Sequence, residues 1–144
     1  MERTLILLKP DCVSQKICGK VISRFEESGF KLVACKMIKL SPDILREHYA
    51  HIADKPFYPD VEKFMQTTPV VAMVFEGDEI IDATRDMLGV TDSAEAAPGT
   101  IREQYGSKEG STSKMINVAH ASDSTESAEA EIKRFFSEDE LFAY

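Results

Sequence analysis

The densest group of polar residues in the chain surrounds one histidine near the carboxyl end, in residues 117–124 (NVAHASDS). A neutral imidazole nitrogen is a competent nucleophile near pH 7, and a phosphoryl group on nitrogen stays reactive enough to be passed on. The histidine of this run, His120, is therefore a candidate carrier of a phosphoryl group. The plain alternative is a surface histidine in a segment that caps the next helix.

A histidine nucleophile needs an acceptor that holds its other ring nitrogen and so fixes the tautomer. The hydroxyl of Ser122 and the carboxylate of Asp123 follow closely in the chain. The carboxylates of the predicted next helix are equally near, namely Glu126, Glu129 and Glu131. Proximity along the sequence does not choose among these groups.

Three basic residues are candidates for binding phosphate. Lys9 directly follows a predicted buried strand, Arg85 lies late in a predicted helix, and Arg102 follows a Pro-Gly-Thr turn. Arginine can contact phosphate in a bidentate manner, and phosphoryl-transfer sites act mainly through positioning and charge. Each residue alone is typical of a solvated surface charge. Their combination with His120 predicts a phosphoryl-transfer site.

Three other patterns have plainer interpretations. Residues 106–112 (GSKEGST) are similar to a phosphate-binding P-loop but lack its final Gly-Lys-Ser/Thr, and no strand precedes them. His48 and His51 lie three apart on a predicted helix, but a third ligand is not evident, so we predict no metal site formed by the protein itself. Phe57 and Tyr58 lie between prolines and could stack on a base or fill the core.

Length and composition indicate one globular domain over residues 1–144, with 43% hydrophobic and 29% charged residues. The net charge of -8 argues against a nucleic acid partner, whereas 17 Lys+Arg suffice for a local phosphate site. The apolar residues 4–8 are too few for a signal peptide or a membrane span. Three cysteines without zinc-site spacing favour the reducing cytoplasm.

The candidate residues lie between alternating strands and helices. Apolar runs predict strands at 5–8, 32–40 and 70–75, and helical periodicity predicts helices around 17–25, 41–48, 61–65, 80–88 and 123–136. Asp123 and Glu126 are spaced as a capping box that opens the last helix. Residues 89–116 form a long loop, of the kind that is usually functional, and 117–120 a short strand or turn. The fold class is α/β or α+β with helices covering a small sheet.

Several short strings, in this order and spacing, resemble the nucleoside diphosphate kinase family over almost the whole chain. They are Lys9-Pro10-Asp11, His48-Tyr49, Lys55-Pro56-Phe57, Pro69-Val70-Val71-Ala72-Met73-Val74, Met87-Leu88-Gly89, Pro98-Gly99-Thr100-Ile101-Arg102 and Asn117-x-x-His120-x-Ser122-Asp123-Ser124. The resemblance implies a ferredoxin-like βαββαβ antiparallel sheet covered by helices. It also implies ping-pong transfer of a γ-phosphoryl group between nucleoside tri- and diphosphates through a phosphohistidine on His120.

The resemblance also implies roles for individual residues. Arg85, Thr91 and Arg102 match phosphate contacts, and Lys9 and Asn117 match sugar-hydroxyl contacts. Phe57 matches the residue that stacks on the base, with Val61 beside it. The neighbours of the histidine are matched by Tyr49, Ser122 and Glu131, which selects Glu131 from the carboxylates left open above. The family further implies Mg²⁺ bound through the nucleotide phosphates and a homo-oligomer, either a hexamer or a tetramer.

The chain departs from the family pattern at a few positions. Cys12 and Ala121 replace glycines, and the segment between Arg102 and Asn117 is a few residues longer than usual. An alanine beside the nucleophile would strain the turn if that position needed a positive φ.

Two rival functions are considered: a catalytically silent relative that serves as a scaffold, and a nucleic-acid-binding protein of ferredoxin-like fold. The acidic charge and the lack of basic patches with interleaved aromatics count against the second.

Overall fold

Four antiparallel strands form one sheet at the centre of the structure, a computed structural model that describes residues 1–144. The strands are β1 (Glu2–Leu8), β2 (Lys31–Ile38), β3 (Val70–Gly77) and β4 (Ala119–Ala121). Their spatial order is β2-β3-β1-β4, so β1 and β3 are central and the other two are edges. This is the ferredoxin-like arrangement, and the predicted fold class is confirmed.

Seven helices connect and cover the strands. They are α1 (Pro10–Ser14), α2 (Cys18–Glu27), α3 (Pro42–His48), α4 (Tyr58–Met65), α5 (Ile80–Leu88), α6 (Ile101–Tyr105) and α7 (Thr125–Phe135). Helix α2 follows β1 and α5 precedes β4, as the βαββαβ core requires, while α3 and α4 are inserted between β2 and β3. No helix combines the length and the apolar character that crossing a bilayer requires.

Strand β1 lies in the middle of the sheet because it is apolar on both faces. Leu5 and Leu7 belong to one core, whereas Ile6 and Leu8 belong to the other, and all four are fully buried. Each such side chain contributes about 1.5–3 kcal/mol relative to an exposed one. A strand buried on both sides reads as the continuous apolar run seen in the sequence.

Helices cover both faces of the sheet. One core contains apolar side chains of α3, α4 and α7 together with Leu5 and Leu7 of β1. The other contains those of α2 and α5 together with Ile6 and Leu8. The C-terminal end of β1 and the short strand β4 therefore lie between packed helices, which fixes the backbone on both sides of His120.

Two expectations about local structure were wrong. Residues 89–116 are not without structure, because they contain a 3₁₀ turn at Ser93–Glu95 and the helix α6, which Thr100 caps by accepting from the backbone N–H of Glu103. The last helix is capped by Ser124, whose hydroxyl accepts from the N–H of Ser127, and not by Asp123. A serine one position along serves equally well as a cap, so the pattern alone placed the start one residue early.

Candidate active site

An open cleft of about 900 Å³ contains most of the residues singled out in the sequence. It lies where β1 and β4 end, between α3, α5, α7 and the segment that follows α5. Eight of the eleven predicted site residues line it: Lys9, Tyr49, Arg85, Thr91, Arg102, Asn117, His120 and Glu131. Side chains separated by more than a hundred positions in the chain thus converge on one space.

Only one ring nitrogen of His120 is hydrogen-bonded within the chain. Its Nε2 lies 2.8 Å from Oε1 of Glu131, and the same oxygen accepts a hydrogen bond of 2.7 Å from Ser122 Oγ. Ionised carboxylate oxygens only accept, so Nε2 carries the proton and donates it to Glu131. Nδ1 therefore keeps its lone pair, and it has no hydrogen-bond partner within the chain. This is the tautomer that a nucleophilic histidine needs.

Ser122 anchors this arrangement to the sheet. It is fully buried, its hydroxyl accepts from the N–H of Leu5, and its own N–H donates to the carbonyl of Leu5. Glu131 is thus bonded to a side chain that is fixed to the central strand. Of the groups left open in the sequence, Glu131 is the acceptor for His120, and Ser122 acts on it indirectly.

The backbone makes a tight turn just before His120. Val118 has φ 78°, and the N–H of Ala119 donates to the carbonyl of Asn117, two residues back. This is a γ-turn, which is a strained conformation, above all for a β-branched residue. Asp11 holds it by accepting from the N–H of Val118 at 3.0 Å, and the N–H of Lys9 donates to the carbonyl of Val118. The Lys9-Pro10-Asp11 string therefore shapes the turn that presents the histidine.

Lys9 is buried at the floor of the cleft. Its Nζ donates to Oδ1 of Asn117 at 2.7 Å and to the carbonyl of Met115 at 3.3 Å. Burial, reinforced by the positive charge of Arg102, lowers the pKa of Lys9 to about 7, although Asp11 opposes the shift. Its charge is therefore poised to respond to an anion that enters the cleft.

Arg102 is fixed by backbone carbonyls and has only part of its binding capacity free. It donates to the carbonyl oxygens of Asn117, Gly89 and Ala119 over 2.7–3.1 Å. Of the five guanidinium donors, about two remain for a ligand. Burial, followed by the charge of Arg85, lowers the pKa of Arg102 to about 10. Arg102 therefore contributes a rigid positive charge rather than a flexible fork.

Arg85 is the arginine of the cleft that remains free. It lies in the last turn of α5 and lines the cleft, and its side chain forms no hydrogen bond or ion pair within the chain. The carboxylate of Asp123 lines the same cleft, and its pKa is lowered first by a hydrogen bond from Ser127 and also by Arg85 and His120. The cleft is thus lined by cations, among them Lys9, Arg85 and Arg102, and also by four carboxylates, those of Glu47, Asp86, Asp123 and Glu131.

The sequence did not reveal the closest aromatic neighbour of His120. That neighbour is His48, at the end of α3, whose ring packs edge-to-face on the His120 ring with 4.6 Å between centroids. Tyr49, which was expected beside the catalytic ring, lines the cleft and packs on His48 at 4.9 Å. Only the His48-Tyr49 string pointed to this place, and no role beside His120 was predicted for His48 from the residues themselves.

One group of side chains has the composition of a metal site. The ligand atoms of His48, His120 and Glu131 lie within 4.8 Å of one another, and His51 is not part of the group. However, His48 Nδ1 bonds Arg134 at 2.9 Å and His120 Nε2 bonds Glu131. Because a metal would have to replace both bonds, we interpret the group as a hydrogen-bond network.

Two predicted nucleotide contacts lie outside the cleft lining. Phe57 precedes α4 and is 52% exposed, whereas Val61 is buried in the core that α4 covers. An exposed ring could meet a base that protrudes from the cleft, while Val61 can only support it from below. Of these two residues, only Phe57 has an exposed side chain.

The two substitutions of family glycines fit without strain. Cys12 is buried in α1, and Ala121 is an ordinary residue of β4 that pairs with Ile6. Neither position has a positive φ, so no glycine is needed there. The strain that we expected beside the nucleophile is located at Val118 instead.

Comparison with known proteins places the geometry in context. The family model described as nucleoside diphosphate kinase matches residues 2–141. A protein named nucleoside diphosphate kinase from Rhodopirellula baltica is 48% identical over the whole of this chain and 91% of its own length. One of the same name from Acetivibrio thermocellus is 47% identical over 96% of this chain and 98% of its own.

Solved structures give the same result for the fold. The nucleoside diphosphate kinase of Aquifex aeolicus superposes with a TM-score of 0.91 at 42% identity, covering 98% of this chain and 99% of its own. The halophilic enzyme of Halobacterium salinarum, solved in complex with CDP, superposes with a TM-score of 0.93 at 38% identity. That comparison covers 99% of this chain and 92% of the other.

Proposed function

Because the chain belongs to the nucleoside diphosphate kinase family, we propose that it moves a γ-phosphoryl group between nucleotides through a phosphohistidine on His120. An enzyme of this type takes the group from a nucleoside triphosphate and gives it to a nucleoside diphosphate. The observation that carries the proposal is the hydrogen bond from His120 Nε2 to Glu131, which leaves Nδ1 as the free nucleophile.

The reaction proceeds in two balanced halves. The lone pair of Nδ1 attacks the γ-phosphorus, the bond to the bridging oxygen breaks, and the nucleoside diphosphate leaves with that electron pair. The proton on Nε2 stays in place and remains bonded to Glu131, which stabilises the positive charge on the phosphorylated ring. A second diphosphate then attacks the phosphorus through a terminal oxygen, and Nδ1 leaves with its lone pair restored.

The cations of the cleft supply the charge that phosphoryl transfer needs. Arg85 is free to contact phosphate, Arg102 offers the donors that its carbonyl bonds leave over, and Lys9 becomes more fully charged as phosphate approaches. Thr91 lines the cleft as a further phosphate contact. Mg²⁺ held by the nucleotide phosphates would neutralise part of their charge. The cleft fits a metal held in this way, because its cations can contact the phosphates and its carboxylates form no cluster of three or more metal ligands with one another.

The remaining assignments concern the nucleoside. Lys9 and Asn117, joined by a 2.7 Å hydrogen bond, meet the sugar hydroxyls, and Phe57 stacks on the base with Val61 beneath it. Stacking reads no base edge, so the enzyme accepts different bases. Tyr49 supports His48 and through it the nucleophile.

The proposed function also indicates the partners, the location and the assembly of the protein. Its partners are nucleoside di- and triphosphates, with no specific nucleic acid and no membrane, in keeping with a net charge of -8. Three free cysteines, two of them with sulfurs 4.0 Å apart and unbonded, fit the reducing cytoplasm. The open edge of β2 suits assembly into a homo-oligomer, a hexamer or a tetramer.

The test is incubation with γ-labelled ATP, followed by addition of unlabelled nucleoside diphosphate. The wild-type chain should acquire a label that is labile to acid and stable to base, and should lose it to the diphosphate. His120→Ala should take no label while still binding nucleotide, and the control His51→Ala, at an exposed histidine, should be labelled normally. An unlabelled wild-type chain that binds nucleotide would instead support the catalytically silent scaffold.

A further inference from the structure

Helix α7 contacts both imidazoles of the cleft with side chains one turn apart. Glu131 accepts from Nε2 of His120 at 2.8 Å, and Nη1 of Arg134 donates to Nδ1 of His48 at 2.9 Å. Residues three apart lie on the same face of a helix, so one surface of α7 holds both rings. The proposed function gives a role to Glu131 but none to Arg134.

We infer that Arg134 is a positioning residue for phosphoryl transfer, which keeps the ring of His48 uncharged and packed against His120 by donating to its Nδ1. This inference rests on the proposed role of His120. Arg134 also lines the cleft, but the inference concerns its bond to His48 and not a contact with the nucleotide.

The hydrogen bond from Arg134 fixes the tautomer of His48. A guanidinium group has donors only, so Nδ1 must be the acceptor, and the uncharged ring carries its proton on Nε2. The ring is buried and packs edge-to-face on His120, with 4.6 Å between centroids, and on Phe135, with 5.3 Å. His120 is therefore held by Glu131 at one nitrogen and by the His48 ring beside it.

The surroundings of His48 oppose its protonation. Burial lowers its pKa to about 2, with further lowering from His120, Arg134, Lys9 and His51. The acidic groups nearby do not offset this effect. Glu131 is already hydrogen-bonded to His120 and Ser122. Glu47 is largely exposed, and its Oε1 lies 3.4 Å from Nε of Arg134. Tyr49 packs on the ring as an uncharged phenol, because burial raises the pKa of its hydroxyl.

A charged His48 would hinder the reaction. Attack by Nδ1 leaves a positive charge on the ring of His120, and a second cation with its centroid 4.6 Å away would raise the energy of that state. It would also compete with His120 for the carboxylate of Glu131, whose oxygen lies within 4.8 Å of both rings. Keeping His48 neutral therefore protects both the charge and the orientation of the nucleophile.

The test compares Arg134→Leu with Lys133→Leu, which removes an exposed cation from the adjacent position of the same helix. Loss of Arg134 leaves Nδ1 without a donor and removes one of the charges that lower the pKa of His48, so this pKa rises, although burial, the larger cause, still lowers it. The single-turnover rate of His120 phosphorylation should fall about tenfold near pH 6, the effect of one lost buried hydrogen bond, with KM for nucleotide unchanged. A new ionisation should appear on the acid side of the pH–rate profile, and Arg134→Lys should restore part of the rate.

A background variant isolates the contribution of His48. His48→Asn places an amide oxygen near the position of Nδ1 and cannot titrate, so Arg134→Leu should add no pH dependence in that background. The tautomer itself is read by ¹⁵N NMR, in which wild-type His48 should show an unprotonated Nδ1 and a protonated Nε2. Arg134→Leu should show this ring titrating.

Two results would overturn the inference. One is an Arg134→Leu variant with the rate and pH profile of Lys133→Leu, and the other is a wild-type His48 that is protonated on Nδ1. If the wild-type chain takes no phosphoryl group at all, the proposed function fails. The ¹⁵N shifts of His48 still decide in that case whether Arg134 fixes the tautomer.

Discussion

At the scale of the residue, catalysis depends on how single nitrogen atoms are occupied. Nε2 of His120 is hydrogen-bonded to Glu131, and Nδ1 has no partner. Most of the donors and acceptors of Asn117 and Arg102 are hydrogen-bonded within the protein itself. Groups held in this way need no reorganisation when the substrate binds, which is the condition for electrostatic catalysis. Arg85 is the exception, because it is free until phosphate arrives.

The lowered pKa of Lys9 predicts that nucleotide binding is coupled to the uptake of a proton. Burial lowers its pKa to about 7, so near pH 8 the free protein carries this lysine mainly uncharged. Bound phosphate favours the charged form and raises the pKa, so binding takes up a proton, and affinity falls as pH rises above about 7. Calorimetry near pH 8 in buffers of different ionisation enthalpy should show this uptake.

The control for Lys9 is an exposed lysine of α2. Lys9→Met should abolish the proton uptake, whereas Lys20→Met should retain it. Equal uptake by wild type and Lys9→Met would mean that another group responds to the phosphates.

Much of the site at this scale was predictable, but only through the family resemblance. The types and spacing of residues suggested His120 and left Ser122, Asp123 and three glutamates as possible partners, because choosing among them requires knowing which face of α7 is turned towards the histidine. No role was predicted for His48 from the residues themselves, because its partner in space, Arg134, is 86 positions away in the chain.

At the scale of the element, the γ-turn at Val118 links the end of β1 to β4. Asp11 of α1 accepts from the buried N–H of this strained residue, two positions before the nucleophile. The turn could not be predicted, because a valine with positive φ contradicts local preference and persists only through distant contacts. The buried strands were predictable, since an apolar run such as that of β1 leaves few alternatives.

The role of Asp11 can be tested by unfolding. Asp11→Ala removes the acceptor for the N–H of Val118 and should lower the free energy of unfolding by about 1–3 kcal/mol, the cost of an unsatisfied buried donor. Asp11→Asn keeps an acceptor oxygen and should lose less. Urea denaturation measures both, and equal stability of Asp11→Ala and wild type would show that this bond does not hold the turn.

At the scale of the whole molecule, the sheet has one edge that is only partly covered. The C-terminal tail bonds the start of β2, where the N–H of Phe142 and the hydroxyl of Tyr144 donate to the carbonyls of Val33 and Leu32. The backbone of the later residues of β2 has no outer hydrogen-bond partner, although Lys36 forms an ion pair with Glu140, and Met37 is 59% exposed there. An open strand edge with exposed apolar surface is typical of a subunit interface.

The proposed oligomer can be tested at this edge. Met37→Lys places a charge on the open part of β2 and should shift the assembly to smaller species in analytical ultracentrifugation. Ser14→Lys adds the same charge to an exposed position of α1 and should leave the assembly intact. An assembly that survives Met37→Lys unchanged, or a monomeric wild type, would contradict the role proposed for this edge.

The most direct test of the central claim identifies the nitrogen that carries the phosphoryl group. The wild-type chain, labelled with ¹⁵N in histidine, is incubated with nucleoside triphosphate and examined by ³¹P and ¹⁵N NMR. The hydrogen bond from Nε2 to Glu131 predicts phosphorus bonded to Nδ1 of His120, with the Nε2 proton retained. A phosphoryl group on Nε2, or on any residue other than His120, would contradict the account.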